Sequence, residues 1–350
     1  MLRGGIIERY AEHLPISGST PRLSLQEGST PLLPARRLAE WVGVRELYLK
    51  YEGANPTGSF KDRGMVVAVA RALEGGARAV LCASTGNTAA SAAAYAAHAG
   101  LDAVVLLPAG KVAAGKLAQA IVYGARVVTV RGNFDAALRV AREAAAAHDI
   151  ALVNSVNPHR IEGQTTAAYE VCDALGGAPD LMALPVGNGG NITAYWLGFR
   201  RALEHGRSAA WPRLLGAQAA GAAPLVLGHP VAEPETVATA IRIGHPATWE
   251  PALAAARESG GAIRSVTDAQ ILEAYHAIAR LEGVFCEPAS AAGVAALRAA
   301  VHEGAAARAA RCVCVLTGNG LKDPERAVAG FDGGVEIDAD VTSLARELNW

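Results

Sequence analysis

Cysteine, lysine and net charge are all in short supply in this chain, and each shortage excludes something. Cys82, Cys172, Cys286, Cys312 and Cys314 are odd in number and show neither Cys-x-x-Cys pairs nor a histidine at metal-ligand spacing. Neither a disulfide framework nor a metal site is expected. All five read as buried thiols, with Cys312 and Cys314 on one face of a strand. The formal net charge is −1 and charged residues make up 19% of the chain, so there is no field for nucleic acid. Long apolar runs are missing as well. The most apolar stretch, 79–97, is interrupted by Ser84, Thr85, Gly86, Asn87 and Thr88, which argues against a membrane span of about 20 apolar residues. Residues 1–10 hold Arg3, Glu8 and Arg9 without a signal-peptide core. The expected setting is the cytoplasm.

The length, 350 residues, favours two domains of roughly 150 residues with a cleft between them. From Glu46 onward short apolar runs alternate with Ala-rich stretches, the pattern of a βαβ succession in a mostly parallel sheet. The fold class is α/β. Strands are expected at 47–52, 79–84, 103–108, 126–130, 151–154, 181–187, 214–219 and 311–317, most of them too continuously apolar to be half exposed. Helices are expected at 60–74, stopped by Gly75 and Gly76; at 87–98, stopped by Gly100; and at 268–282, opened by a Thr267-x-x-Gln270 capping box and stopped by Gly283. The segment 224–267, with Pro230, Pro234, Pro246 and Pro251, reads as irregular.

Lysine is scarce enough to narrow the search for chemistry, since only Lys50, Lys61, Lys111, Lys116 and Lys322 occur. Lys61 follows a turn-forming Pro-Thr-Gly run and stands in the first turn of a helix. A cation is disfavoured there, which lowers the amine pKa and frees it to attack a carbonyl. Two further loops sit at strand-to-helix turns. The ASTGNTAAS run at 83–91 offers hydroxyls, an amide and backbone N–H groups suited to a carboxylate. The VGNGGNIT run at 186–193 has three glycines that let N–H groups close around a phosphate. It matches neither the dinucleotide spacing nor the P-loop.

These motifs together resemble the fold-type II pyridoxal-phosphate enzymes, the tryptophan synthase β-like superfamily, from about Glu27 to Asp323. The resemblance implies two mostly parallel twisted sheets flanked by helices, with the active site in the cleft. It also implies a small mobile domain, 57–155, inserted in a large cofactor-binding domain made of 1–56 and 156–350. Lys61 would be the catalytic residue and carry pyridoxal 5′-phosphate as a Schiff base. Gly187, Asn188, Gly189, Gly190 and Asn191 would bind its phosphate, Asn87 its ring oxygen and Thr317 its ring nitrogen. Ser84, Thr85 and Thr88 would hold the substrate carboxylate. A neutral hydroxyl at the ring nitrogen would make a milder electron sink than an Asp.

Within that family the GSTPL run at 28–32, NPTGSFK at 55–61, NSVNPHR at 154–160 and FCEPAS at 285–290 look like those of threonine synthases. The substrate would then be O-phosphohomoserine, converted with water to threonine and phosphate. Asn154, Ser155 and Arg160 offer the groups that grip a second phosphate by charge-assisted bonds. His159 reads as ordering that loop, and Glu287 as an ion-pair partner. A homodimer is the family habit. The alternatives are a threonine or serine dehydratase or a β-replacing synthase on the same scaffold, a noncatalytic relative, or a nucleotide binder.

Overall fold

Strand-forming apolar runs and Ala-rich helices alternate along most of the chain, and the computed structural model, which describes residues 4–84, 86–110, 114–132, 134–329 and 331–350, sorts them into two sheets. The larger has six strands in the order β1-β2-β10-β7-β8-β9: β1 Leu32–Pro34, β2 Glu46–Tyr51, β7 Leu181–Pro185, β8 Arg213–Ala219, β9 Ala262–Val266 and β10 Arg311–Leu316. All pairings are parallel except β1 with β2. The smaller sheet is wholly parallel, in the order β5-β4-β3-β6: β3 Ala79–Ala83, β4 Asp102–Pro108, β5 Arg126–Val130 and β6 Ile150–Leu152.

The helices that flank them are α1 Lys61–Glu74, α2 Asn87–Ala99, α3 Ala114–Val122, α4 Phe134–Ala147, α5 Pro158–Leu175, α6 Gly190–Glu204, α7 Trp249–Glu258, α8 Asp268–Glu282 and α9 Pro288–His302. Their ends follow the sequence punctuation. Gly100 and Gly283 cap α2 and α8 in the left-handed conformation, and the Thr267/Gln270 capping box is formed on both sides. No helix among the described residues is long and apolar enough to cross a membrane.

One expectation fails. The segment 224–267 is not irregular throughout, because it contains α7 and β9. β9 is an edge strand carrying Arg264 and is only partly buried, so it lacks the continuous apolar signature that a central strand shows. β5, expected at 126–130 and found there, is likewise an edge strand, and it is mostly exposed although its sequence is apolar. The central strands β3 and β7 are buried along their whole length. All five cysteines are free and buried.

The crossing of α1 and α5 brings the two ends of the site together. A Cβ on Gly64 would lie 2.4 Å from the Arg160 carbonyl oxygen, and one on Gly163 would lie 2.1 Å from that of Arg63. Only glycine at both positions lets the helices touch backbone to backbone, which sets Lys61 near Arg160. A buried ionic cluster fixes the same joint. Arg63 donates from Nε to Glu52 at 2.7 Å and from Nη2 to Glu170 at 2.7 Å, and Lys50 Nζ reaches Glu170 at 2.7 Å. Each of these buried charges has an opposite partner, as burial demands.

Candidate active site

Three short segments lie side by side at the mouth of the larger sheet. Phe60 N–H donates to the Thr317 carbonyl at 3.0 Å, Asn319 N–H to Gly58 at 2.9 Å, and Glu287 N–H to Gly318 at 3.0 Å. Bridges Ser59 to Gly318 and Cys286 to Asn319 complete the arrangement. This ladder positions the lysine turn, the end of β10 and the start of α9 against one another. Asp62 stiffens the turn: its carboxylate accepts from the Thr57 N–H at 2.7 Å and from the Thr57 and Ser91 hydroxyls at 2.6 Å each.

Lys61 opens α1 without a side-chain cap. Its Nζ lies 4.2 Å over the Phe60 ring and has no hydrogen-bond or ion-pair partner among the described residues. Its pKa is lowered to about 7, by burial first and then by the Arg160 charge, with Glu287 opposing. The expectation from sequence placed the cause at the helix end. Burial and a neighbouring guanidinium dominate instead. The outcome is the same, an amine about half neutral at pH 7 and able to act as a nucleophile or base.

The glycine loop joins β7 to α6. The backbone N–H groups from Gly187 through Asn191 find no acceptor among the described residues, which leaves a row of donors at a helix start. Gly189 has φ of +83°, and a Cβ there would fall 2.6 Å from the Thr248 carbonyl oxygen. Glycine is thus required by the loop's packing on the segment before α7 as well as by its turn. The Asn188 carbonyl accepts from Thr248 N–H at 3.0 Å and its side-chain oxygen from Ala247 N–H at 3.2 Å. Asn191 donates to Gln164 at 3.2 Å, while its amide oxygen is buried without a partner. We expect Gly189→Ala to cost about 1–3 kcal/mol of stability through strain at a left-handed position and to weaken cofactor retention. Urea unfolding and cofactor titration check both, and unchanged values in each would return the loop to an ordinary turn.

The loop after β3 leads into α2. Ser84 accepts from Gly86 N–H at 3.4 Å, and Asn87 and Thr88 open α2, partly buried; Thr85 lies outside the described residues. Asn87 Nδ2 donates to Glu287 Oε2 at 3.0 Å. Thr317 donates to Glu287 Oε1 at 2.9 Å.

The residues expected to hold a second phosphate divide into two kinds. Both hydrogen bonds of the Asn154 amide go to the Ala83 backbone, at 3.0 Å each; it ties the end of β6 to the end of β3 and so positions the loop at 84–88. Asn157, not singled out from sequence, caps α5 by accepting from His159 N–H at 3.0 Å. Ser155 stays partly exposed. Arg160 is 1% exposed, donates from Nη1 to the Val153 carbonyl at 3.1 Å, and has an unpartnered Nε. No carboxylate pairs with it among the described residues, and burial pushes its pKa down to about 10. A buried cation in that condition gains from meeting an anion.

The donor set therefore fits pyridoxal phosphate: a lysine whose amine pKa is lowered to about 7, a row of free N–H groups for a phosphate, and an amide and a hydroxyl gathered on Glu287. Sequence reasoning missed the centrality of Glu287, which touches both of the last two. Its signal was the Glu-Pro pair at the start of α9.

Comparison with known proteins agrees with this geometry. Residues 23–318 match the family model described as pyridoxal-phosphate dependent enzyme. The chain is 57% identical over 347 residues to a threonine synthase of Synechocystis, covering 97% of this chain and 90% of that protein. It is 55% identical to that of Mycobacterium leprae, covering 98% and 96%. Among solved structures, a threonine deaminase from T.th. superposes with a TM-score of 0.68 at 27% identity, covering 83% of this chain and 92% of the other. Maize serine racemase shares the fold, with a TM-score of 0.71 at 21% identity and 91% of each chain covered.

Proposed function

The chain belongs to the pyridoxal-phosphate dependent enzymes, and from that premise we propose that it catalyses the threonine synthase reaction, converting O-phospho-L-homoserine and water to L-threonine and phosphate. The observation that carries the choice of substrate is Arg160, buried without a carboxylate yet near enough to Lys61 to depress its pKa. A dehydratase acting on serine or threonine has no second phosphate to place there.

Lys61 would hold the cofactor covalently, the N–H groups from Gly187 to Asn191 would take its phosphate with the Asn188 and Asn191 side chains, and Asn87 and Thr317 would bind its ring oxygen and ring nitrogen. Bound there, pyridoxal phosphate supplies the electron sink that stabilises negative charge next to the amino-bearing carbon. Ser84, Thr85 and Thr88 bind the substrate carboxylate at the start of α2. Arg160 and Ser155 hold the substrate phosphate, with Asn154 fixing the loop opposite. With the cofactor bound, the Lys61 amine would take protons from Cα and Cβ, return one at Cγ to complete the methyl group after phosphate has left, and return one at Cα at the end, a task suited to an amine with a pKa of about 7. Phosphate leaves from Cγ, and held at Arg160 it takes the proton of the water that adds at Cβ. We assign 57–155 as the domain that closes and excludes other water, supported by the separate sheet formed by β3 to β6. A cytoplasmic homodimer is the assembly we assign to it.

The test is release of inorganic phosphate with formation of threonine from O-phosphohomoserine, run beside keto-acid formation from serine and threonine. Keto acid from the unphosphorylated substrates with no phosphate release would replace this reading by a dehydratase.

A further inference from the structure

Beyond Val328 the chain leaves both sheets. Residues 331–350 pair with neither sheet and bury no side chain, and the hydrogen bonds of 332–350 run within the segment. Its sequence is nevertheless patterned for packing. Val335 and Ile337 alternate with Glu336 and Asp338, the period of a strand with one apolar face. A further helix, α10 Val341–Leu348, opens on Asp340, whose carboxylate accepts from Ser343 N–H at 2.9 Å. It carries Val341, Leu344, Ala345 and Leu348 at helical spacing, all on one face. From Phe331 to Trp350, seven large apolar side chains are exposed.

A helix of 8 residues has no stability of its own in water, where isolated helices shorter than about 12–15 residues are marginal. α10 needs a surface against its apolar face, and its own chain does not supply one. Charge points to what does. Residues 331–350 hold five acids and one arginine, a net −4. The whole chain holds 32 basic and 33 acidic residues, so 1–330 hold 31 against 28, a net +3. The segment is opposite in sign to the body it leaves, and a second copy presents that same body. Area agrees. Covering one such side chain removes roughly 60–120 Å² of apolar surface. Two segments exchanged about a two-fold axis thus bury on the order of 1,000 Å² on their own side alone, and the receiving faces bring the total past the ~1,200 Å² at which stable interfaces begin.

We propose that residues 331–350 are an arm exchanged between two copies of this chain, with the apolar face of α10 seated on the body of the partner subunit. The inference rests on the homodimer assigned above and gives that dimer its joint. Gly333 and Gly334, at φ of +105° and +79°, are the hinge at which the arm turns from its own body. Because the attraction is of opposite charges as well as apolar surfaces, the dimer loosens as salt is raised.

The experiment has two readouts, both on the holoenzyme. Leu344→Cys puts a reachable thiol on the arm, since the five native cysteines are buried. This variant, unlabelled and coupled to benzophenone maleimide, is exchanged with an excess of ¹⁵N-labelled chains and irradiated. The expected crosslinks join an unlabelled arm to a ¹⁵N-labelled body; crosslinks confined to unlabelled peptides show an arm folded on its own chain and overturn the proposal. Sedimentation is the second readout. Removing 331–350, or combining Leu344→Asp with Leu348→Asp, is expected to raise the dimer dissociation constant at least tenfold while the cofactor is retained, because no buried residue is touched. An unchanged constant overturns the arm and leaves the dimer. A wild type that sediments as a monomer at micromolar concentration overturns both. Neither readout needs turnover, so a protein that releases no phosphate from O-phosphohomoserine loses its proposed reaction and keeps its arm.

Discussion

Lys61→Ala is expected to leave the protein folded and to lower turnover of O-phosphohomoserine by on the order of 10⁴-fold or more, the scale of a lost acid–base group compounded by a lost covalent attachment. The fold survives because the amine of Lys61 makes no hydrogen bond or ion pair among the described residues, and alanine is a good helix former. Reduction with borohydride should fix cofactor to the wild type and not to the variant. Label retained by the variant would move the Schiff base to another lysine, with Lys322, whose charge also reaches Glu287, the next to examine. The cofactor-free proteins provide an independent check. The amine falls from an ordinary 10.5 to about 7 on folding, so between those values the unfolded chain binds more protons and stability rises with pH. Below about pH 7 the wild type bears the full cost of a buried ammonium, and above about 10.5 the cost is gone. Relative to Lys61→Ala, the wild type should therefore gain stability as pH is raised through this window, by urea unfolding. A flat difference would mean that the amine is solvated and not tuned.

How far the site could be read from sequence depended on whether a feature was local. The turn before Lys61, the loop at 84–88 and the glycine loop are each set by a few neighbouring residues, and all three lie at the helix starts where the turn chemistry puts them. Central strands were legible because burial on both faces leaves a continuous apolar run. β9 was not, since an edge strand can be charged or exposed without penalty. What sequence could not give was the outcome of bringing distant segments together. The depression of Lys61 comes from burial and from Arg160, placed by the Gly64 and Gly163 crossing. Glu287 read as an ion-pair partner, whereas its carboxylate accepts from Asn87 and Thr317, brought to it by α2 and β10. Asn154 read as a phosphate ligand by its company, whereas its amide is engaged on both sides by Ala83.

Arg160 decides the substrate, and its test separates a phosphate grip from a structural role. The side chain is buried, its Nε has no partner, and its one hydrogen bond goes to a neutral carbonyl. A guanidinium kept in that condition is destabilising by itself, since its desolvation is not repaid by a carboxylate. It becomes favourable only when an anion enters. Removing it should then cost the free protein little while costing catalysis on a phosphorylated substrate about 2–5 kcal/mol, the scale for breaking a buried charge pair, or roughly 30-fold upward in kcat/KM. Arg160→Lys should not restore what Arg160→Ala loses, because a point-charge ammonium cannot reproduce the planar fork that meets phosphate oxygens in pairs. Three measurements on each variant suffice: kcat/KM for O-phosphohomoserine, the rate with unphosphorylated serine or threonine, and the urea midpoint. The expected pattern is a large fall in the first, little change in the second, and a midpoint equal to or above the wild type. Equal damage to phosphorylated and unphosphorylated substrates would make Arg160 a support of Lys61 through its charge alone. A sharp drop in the midpoint would make it a structural member of the α1–α5 crossing, and in either case the buried guanidinium beside Lys61 would no longer speak for a second phosphate.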